Sequence, residues 1–316
     1  MSTDYLPDLD VRHLVTLRAI AAAGSFHGAA DRLEYTQSAV SQHVAALEGV
    51  LGVRLIDRGR GRRTVALTEA GELLVRHAEA IVARLHAARA DVAAYTAGGA
   101  GTLRVGTFQS AGARIVPALV QRFAAAWPDV EIQLSESTND ADLLRQVEAG
   151  ELDLAFAAFP IPPGPFETVE LLRDPYVLVV RKDSPLAARA TPPSAAEIAG
   201  LPLIGFRHCR STAAVETHLR QNGYDPHFVF RSDQNQTVQA MVVAGVGAAL
   251  VPVLTVDSDD PEVSTLPTDV PARVVALAWH RDRYRSAAAR AFTGFAGEVS
   301  AELALGPTAA GSPAAA

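Results

Sequence analysis

Between Ser25 and Leu55 the apolar residues return every three or four positions, in two runs parted by Glu34-Tyr35-Thr36. That spacing predicts two short helices joined by a tight turn. In the second run Val40, Val44, Leu47 and Leu51 make one apolar stripe that must pack on the helices before it. Its opposite face carries Ser38, Ser41 and Gln42, with Gln37 at the helix start. Small hydroxyls and amides can exchange hydrogen bonds with base edges and phosphates, and none is bulky enough to hold a helix off a groove. Thr36 and Ser25 are placed to cap the two helices, and Ala29 and Ala30 allow close helix approach. Upstream, a first helix is expected over Val11–Ala23, ended by Gly24. This is the layout of a helix-turn-helix reader of DNA; the plainer alternative is a solvated polar face on a small helical bundle.

From Thr68 to about Thr96 no proline interrupts a second, longer stripe: Ala70, Leu74, His77, Ile81, Leu85, Ala88 and Val92. A helix of about 28 residues needs a partner for such a stripe, so the segment is expected to join two copies of the chain; the plainer alternative is that the stripe packs only on its own chain. His77 is expected in that core or interface rather than as a ligand. After Gly98-Gly99-Ala100-Gly101 the pattern changes to alternating strands and helices. Strands are expected over Thr102–Thr107, Val130–Glu136 and Leu152–Ala157, with helices over Ala113–Ala126 and Ala141–Ala149 between them. A similar order follows: strands 176–181, 202–206, 227–232, 248–251 and 274–279, with helices 213–222, 237–244 and 286–303. Such alternation predicts mainly parallel sheets.

Charge sharpens this picture. The whole chain carries a net −7. Residues 1–67 hold 8 Arg against 7 acids, whereas residues 98–316 hold 17 Lys and Arg against 24 acids. Arg54, Arg58, Arg60, Arg62 and Arg63 crowd into one glycine-punctuated stretch before the strand-like Thr64–Leu67. That reads as a wing, a basic hairpin reaching the DNA backbone or minor groove. The sequence lacks a signal-peptide pattern and an apolar run long enough to span a bilayer, and its single cysteine suits a cytoplasmic location.

The ordered pattern from Leu14 to Gly71 resembles the LysR-type transcriptional regulators. It comprises Ala29-Ala30, Leu33, Gln37-Ser38-Ala39-Val40-Ser41, Leu47-Glu48, Leu51-Gly52-Val53-Arg54-Leu55, Arg58, Arg62-Arg63 and Leu67-Thr68-Glu69-Ala70-Gly71. The resemblance implies an α + α/β protein. A winged helix-turn-helix would occupy residues 1–67 and a linker and dimerisation helix residues 68–97. A two-lobed effector domain like that of periplasmic solute-binding proteins would occupy residues 98–303. Its first lobe would hold about 102–171 and 270–303, its second about 172–269, with a disordered tail over 304–316. Groove contacts would come from Gln37, Ser38, Ser41 and Gln42, where the family often has Arg at the last position. Backbone contacts would come from Arg58, Arg60, Arg62 and Arg63. Promoter DNA, a small-molecule effector and further copies of the chain, as homodimer or homotetramer, are the implied partners.

Ligands in open α/β sheets bind beyond the carboxyl ends of strands. That rule selects Gln109, Ser110, Ser137, Thr138, Phe206 and Asn235, with Arg207 or Arg210 supplying charge for an anionic effector. The polar residues have a plain alternative as helix caps. Cys209, between His208 and Arg210, resembles the reactive-cysteine segment of peroxide-sensing family members. Their second cysteine would fall at His218, so an intrachain disulfide is excluded and a single-cysteine redox sensor remains an alternative. No nucleophile elbow, phosphate-binding loop or paired metal ligand suggests an enzyme, a metal or a cofactor. A small-molecule-binding protein without DNA function is the other rival.

Overall fold

A computed structural model describes residues 9–57, 65–96, 101–189 and 191–305. The chain divides between Ala90 and Asp91 into two units.

The first unit opens with α1 (Val11–Ala23), α2 (Phe26–Leu33) and α3 (Gln37–Leu51). Each start is capped by a side chain. Asp10 accepts from Arg12 N, Ser25 from Gly28 N and Thr36 from Ala39 N, at 2.8, 3.0 and 3.2 Å. Gly24 and Gly52 end α1 and α3 in the left-handed region, at φ 64° and 69°. Leu14, Leu17 and Ile20 of α1 meet Val40, Val44 and Leu47 of α3 in one core, all essentially inaccessible. Beyond α3, β1 (Ile56–Asp57) pairs antiparallel with β2 (Ala66–Leu67). The wing arginines 58, 60, 62 and 63 lie outside the described residues.

Helix α4 (Glu69–Thr96) follows, with Thr68 Oγ1 accepting from Gly71 N at 3.0 Å. Its first turns join the core through Ala70, Leu74, Val75 and Ala78. His77 is exposed, contrary to a place in the core of its own chain, and so are Ile81, Leu85 and Val92. The inward positions are Ala78 and Val82 instead. A turn earlier, the backbone of Gly71 runs against Leu55. A Cβ there would sit 2.1 Å from the Leu55 carbonyl oxygen.

The second unit starts with β3 (Gly101–Thr107), α5 (Gln109–Arg114) and α6 (Val116–Ala126). One helix was expected where two are found, because Pro117 offers no N–H to continue the ladder and the helix restarts there. Then come β4 (Val130–Glu136), α7 (Asp140–Ala149), β5 (Leu154–Ala158), β6 (Phe166–Asp174) and β7 (Tyr176–Arg181). Next are α8 (Ala195–Ala199), β8 (Pro202–Phe206), α9 (Arg210–Gln221), β9 (His227–Ser232), α10 (Asn235–Val243) and β10 (Ala248–Pro252). A 3-10 turn (Val253–Thr255), β11 (Val263–Pro267), β12 (Arg273–His280) and α11 (Ala287–Leu305) complete it.

These strands form two five-stranded sheets, ordered β4-β3-β5-β12-β6 and β11-β7-β10-β8-β9. Both are mixed rather than mainly parallel. The pairs β12–β5, β12–β6, β10–β7 and β11–β7 run antiparallel. The chain changes sheet directly from β6 into β7, without a crossover helix, and it returns through β11 and β12. Strands reached this way need not keep the parallel direction that βαβ units impose. Phe123, Phe156 and Phe292 lie in the core of the first lobe. In the second lobe Ile198, Val215 and Leu219 pack in one cluster, and Val238 and Val242 in another.

The Gly71 contact can be tested against a control. Gly71→Ala forces backbone apart and should cost about 1–3 kcal/mol or more, shifting the unit's urea transition, read by circular dichroism, to lower denaturant. Gly49→Ala, inside α3 with nothing within 4 Å of the new methyl, should leave that transition unchanged or raise it slightly.

Candidate functional sites: the reading helix and the cleft

Helix α3 sorts its residues cleanly. Val40, Val44 and Leu47 are buried, while Gln37, Ser38, Ser41 and Gln42 are exposed together; Leu51, expected on the same stripe, lies in the last turn and is exposed. Their spacing of one, three and one places them on the same side of the helix. The Thr36 cap satisfies one amide and leaves other first-turn N–H groups pointing outward, where a phosphate would be favoured. Glu48, one helical turn from the core residue Val44, takes the backbone N–H of Leu55 at 2.8 Å. The segment after α3 is thereby tied to the helix itself.

The second unit holds a cleft of about 540 Å³ between its two sheets. Gln109, Ser110, Thr138, Phe206, Cys209 and Asn235 line it, as does Arg210. Ser137 and Arg207 do not. The Ser137 hydroxyl accepts from Asn139 N at 3.1 Å, a turn contact, and Arg207 donates to the Arg231 carbonyl at 3.4 Å. Arg210 is in the cleft yet is committed elsewhere. Its guanidinium pairs with the buried Asp140 and donates to the carbonyls of Ala158 and Pro160, reaching from one lobe to the other.

A second clasp faces it. Gln109 Nε2 donates to Gln234 Oε1 at 2.7 Å while its Oε1 accepts from Asn235 N at 2.8 Å. Both ends of one amide therefore span the lobes.

At the cleft floor lies a pair that sequence reasoning missed. Arg273 opens β12 directly opposite Asp174, the last residue of β6. Both are buried, and Arg273 Nε donates to Asp174 Oδ2 at 2.8 Å. Arg273 Nη2 also donates to Ser110 Oγ at 2.7 Å, and its guanidinium carbon stands 5.2 Å from the Phe108 ring. Asp174 Oδ1 accepts from Leu254 N at 3.1 Å. Burial pushes the Asp174 carboxyl above the ordinary carboxylate value, against the opposing pull of Arg273. One signal was available: an arginine at the head of the apolar run Val274–Trp279 has nowhere to go but inward.

Cys209 caps α9, its Sγ accepting from Ser211 N at 3.5 Å. His218, on the same helix, also lines the cleft, and its Nε2 lies 3.4 Å from an Asp269 oxygen. The rest of the lining is largely apolar, including Phe108, Phe159, Tyr176, Ala213, Ala214 and Val270. No helix among the described residues is long and apolar enough to cross a membrane.

A capped reading helix in one unit and a lined cleft between paired sheets in the other define a DNA-binding regulator with a small-molecule receptor domain. The family follows from comparison. Residues 11–72 match the bacterial regulatory helix-turn-helix protein model of the lysR family, and residues 96–301 match the LysR substrate binding domain. The chain belongs to the LysR family of transcriptional regulators.

Among its relatives, the DNA-binding transcriptional dual regulator OxyR of Escherichia coli (strain K12) is 30% identical over 78% of this chain and 80% of its own. The probable regulator LrrA of Synechococcus elongatus is 30% identical over 85% and 90%. A full-length OxyR variant from Pseudomonas aeruginosa, 25% identical, superposes with a TM-score of 0.63 over 92% of this chain and 98% of that one.

Removing one member of the floor pair leaves the other charged in a dry site. Arg273→Met should destabilise the second unit by about 3–5 kcal/mol in urea unfolding. Arg273→Met combined with Asp174→Leu should recover most of that loss.

Proposed function

We propose that α3 reads a promoter sequence through Gln37, Ser38, Ser41 and Gln42, with Arg58, Arg60, Arg62 and Arg63 adding backbone affinity. Residues 1–67 then serve as the reader and 68–97 as the dimerisation helix. Residues 98–303 form the receptor, with lobes meeting near 171 and 270. The observation that carries this reading is the segregation along α3, where four polar residues stand exposed on one side and Val40, Val44 and Leu47 are buried on the other. The exposed Ile81, Leu85 and Val92 of α4 support association through that helix. A dimer would present two reading helices to one duplex.

The receptor site we assign is the cleft, with Gln109, Ser110, Thr138, Phe206, Cys209 and Asn235 in contact with the effector. An anionic effector was the expectation, resting on Arg207 and Arg210. Arg207 is outside the cleft and Arg210 is neutralised by Asp140, while Arg273 is neutralised by Asp174. The charge balance and the apolar lining favour an uncharged, amphipathic molecule instead. Its binding would act by preferring one spacing of the lobes over another. Cys209 in the cleft wall supports a second reading, thiol sensing of a peroxide, since similar proteins include hydrogen peroxide-inducible genes activators.

Three measurements test these assignments. On a duplex selected from a random pool, Ser41→Ala or Gln42→Ala should cost about 1–3 kcal/mol, and less on unselected DNA. Arg62→Ala and Arg63→Ala should weaken both and flatten the salt dependence. Light scattering of the chain with Ile81→Asp and Leu85→Asp should show monomers or aggregates, because an associated seam does not tolerate unpaired charge. A well-behaved dimer would place the association surface in the second unit.

A further inference from the structure

One inward side chain of the reading helix is neither apolar nor inert. His43 follows the exposed Gln42 and turns back toward α1, half buried, where it meets His13. The two ring centroids are 4.8 Å apart, tilted by 43°. His43 Nδ1 lies 2.8 Å from the hydroxyl of Thr16, a fully buried residue that itself donates to the Arg12 carbonyl at 2.8 Å. Tyr35, in the turn before α3, sets its ring edge-on to His43 at 5.5 Å. His13 Nδ1 is buried without a hydrogen-bond partner among the described residues. The contact therefore joins α1, the turn and α3 at one point.

We propose that the His13–His43 contact seats the reading helix on α1, and that proton uptake by His43 unseats it, making DNA reading pH-dependent. The coupling to DNA rests on α3 being the reading element. With the His43 imidazole neutral, the two tilted rings pack together and Thr16 holds His43 in place. Protonation of His43 would put a charge into this partly desolvated seam.

The charged groups facing the pair from α1 are Asp10 and Arg12, which are occupied with each other through a bond of 2.9 Å from Arg12 Nε to Asp10 Oδ2. From the turn the facing group is the Tyr35 hydroxyl-bearing ring. Burial first, then His13 and Arg12, hold the His43 imidazole below its ordinary value of 6.5, against a weaker opposing pull from Asp10. The sign follows directly. The unfolded seam takes up the proton more readily, so the stabilisation is complete above about 6.5 and is lost as pH falls below it, by at most about tenfold per pH unit for one group.

Hydrogen exchange of the full chain, read by mass spectrometry on peptides covering 11–23 and 37–51, tests the seam at pH 7.5 and 5.5. After correction for intrinsic exchange, wild-type protection should fall, by up to about tenfold. In His43→Gln, whose amide can still meet Thr16, it should change by less than about twofold, and in His13→Gln, which leaves His43 half-buried but removes its ring neighbour, the fall should be smaller than in wild type. Protection at pH 7.5 close to wild type shows that each variant is folded, and either one suffices if the other is not.

In parallel, affinity for a duplex selected from a random pool at pH 7.5 is compared with affinity for unselected DNA at both pH values. Wild-type discrimination should drop several-fold at pH 5.5, in line with the same linkage, and that of His43→Gln should stay flat. Flat wild-type protection, or an equal loss in both variants, overturns the proposal. Lost protection with unchanged discrimination overturns the coupling to DNA reading. Failure of the wild-type chain to select any duplex contradicts the DNA-reading premise, while the exchange result still decides the seam.

Discussion

Arg273 and Asp174 stand opposite each other where the chain leaves the first sheet for the second and where it comes back. Everything about the cleft depends on this pair being satisfied at that place. A buried arginine and a buried aspartate are each unfavourable alone, and together they are tolerated only in close, hydrogen-bonded geometry. That geometry exists only when β6 and β12 are in register, Ser110 is at the start of α5, and Leu254 presents its amide from the turn after β10. The pair thus draws contacts from both lobes and from both crossings, leaving the cleft floor polar but electrically balanced.

Around that floor the lobes are held by groups that are fully used by one another. Arg210 reaches Asp140 on one side, and Gln109 reaches Gln234 and Asn235 on the other. A ligand entering here meets no surplus charge among these clasps. On the reading proposed above, it would gain instead from covering apolar lining and from replacing hydrogen bonds the protein already makes with itself, so that shape and polarity would count for more than ionic attraction.

Much of the reading helix was legible in the sequence because local rules govern it. Thr36, Ser25 and Gly24 act through neighbours a few residues away, and the Val40–Val44–Leu47 stripe follows helical periodicity alone. The cleft was less legible because its key contacts join residues far apart. Arg210 was recognised as cationic, but its pairing with Asp140 spans seventy positions. Strand β6 escaped notice because Glu167, Glu170 and Arg173 break its apolar run, as befits the edge of a sheet. The short helix α8 was not expected, since five residues carry no helical period; its capping box of Ser194 and Glu197 is the one local signal for it. Ser137 and Arg207 have suitable chemistry for a site, and only the direction of their side chains takes them out of it.

In the first unit a continuous chain of hydrogen bonds runs from α3 to α4. Glu48 of α3 holds the Leu55 amide, the Leu55 carbonyl accepts from Thr68 N, and the Thr68 hydroxyl donates to the Arg54 carbonyl. Gly71 then lies directly against Leu55, with no room for even a methyl between them. Hydrogen bonds and hard contact, unlike a flexible side-chain interface, have little slack. A turn of α4 about its axis would therefore act as a crank with no backlash. Any torque reaching that helix would arrive at α3 as rotation of its four exposed polar residues rather than be absorbed on the way.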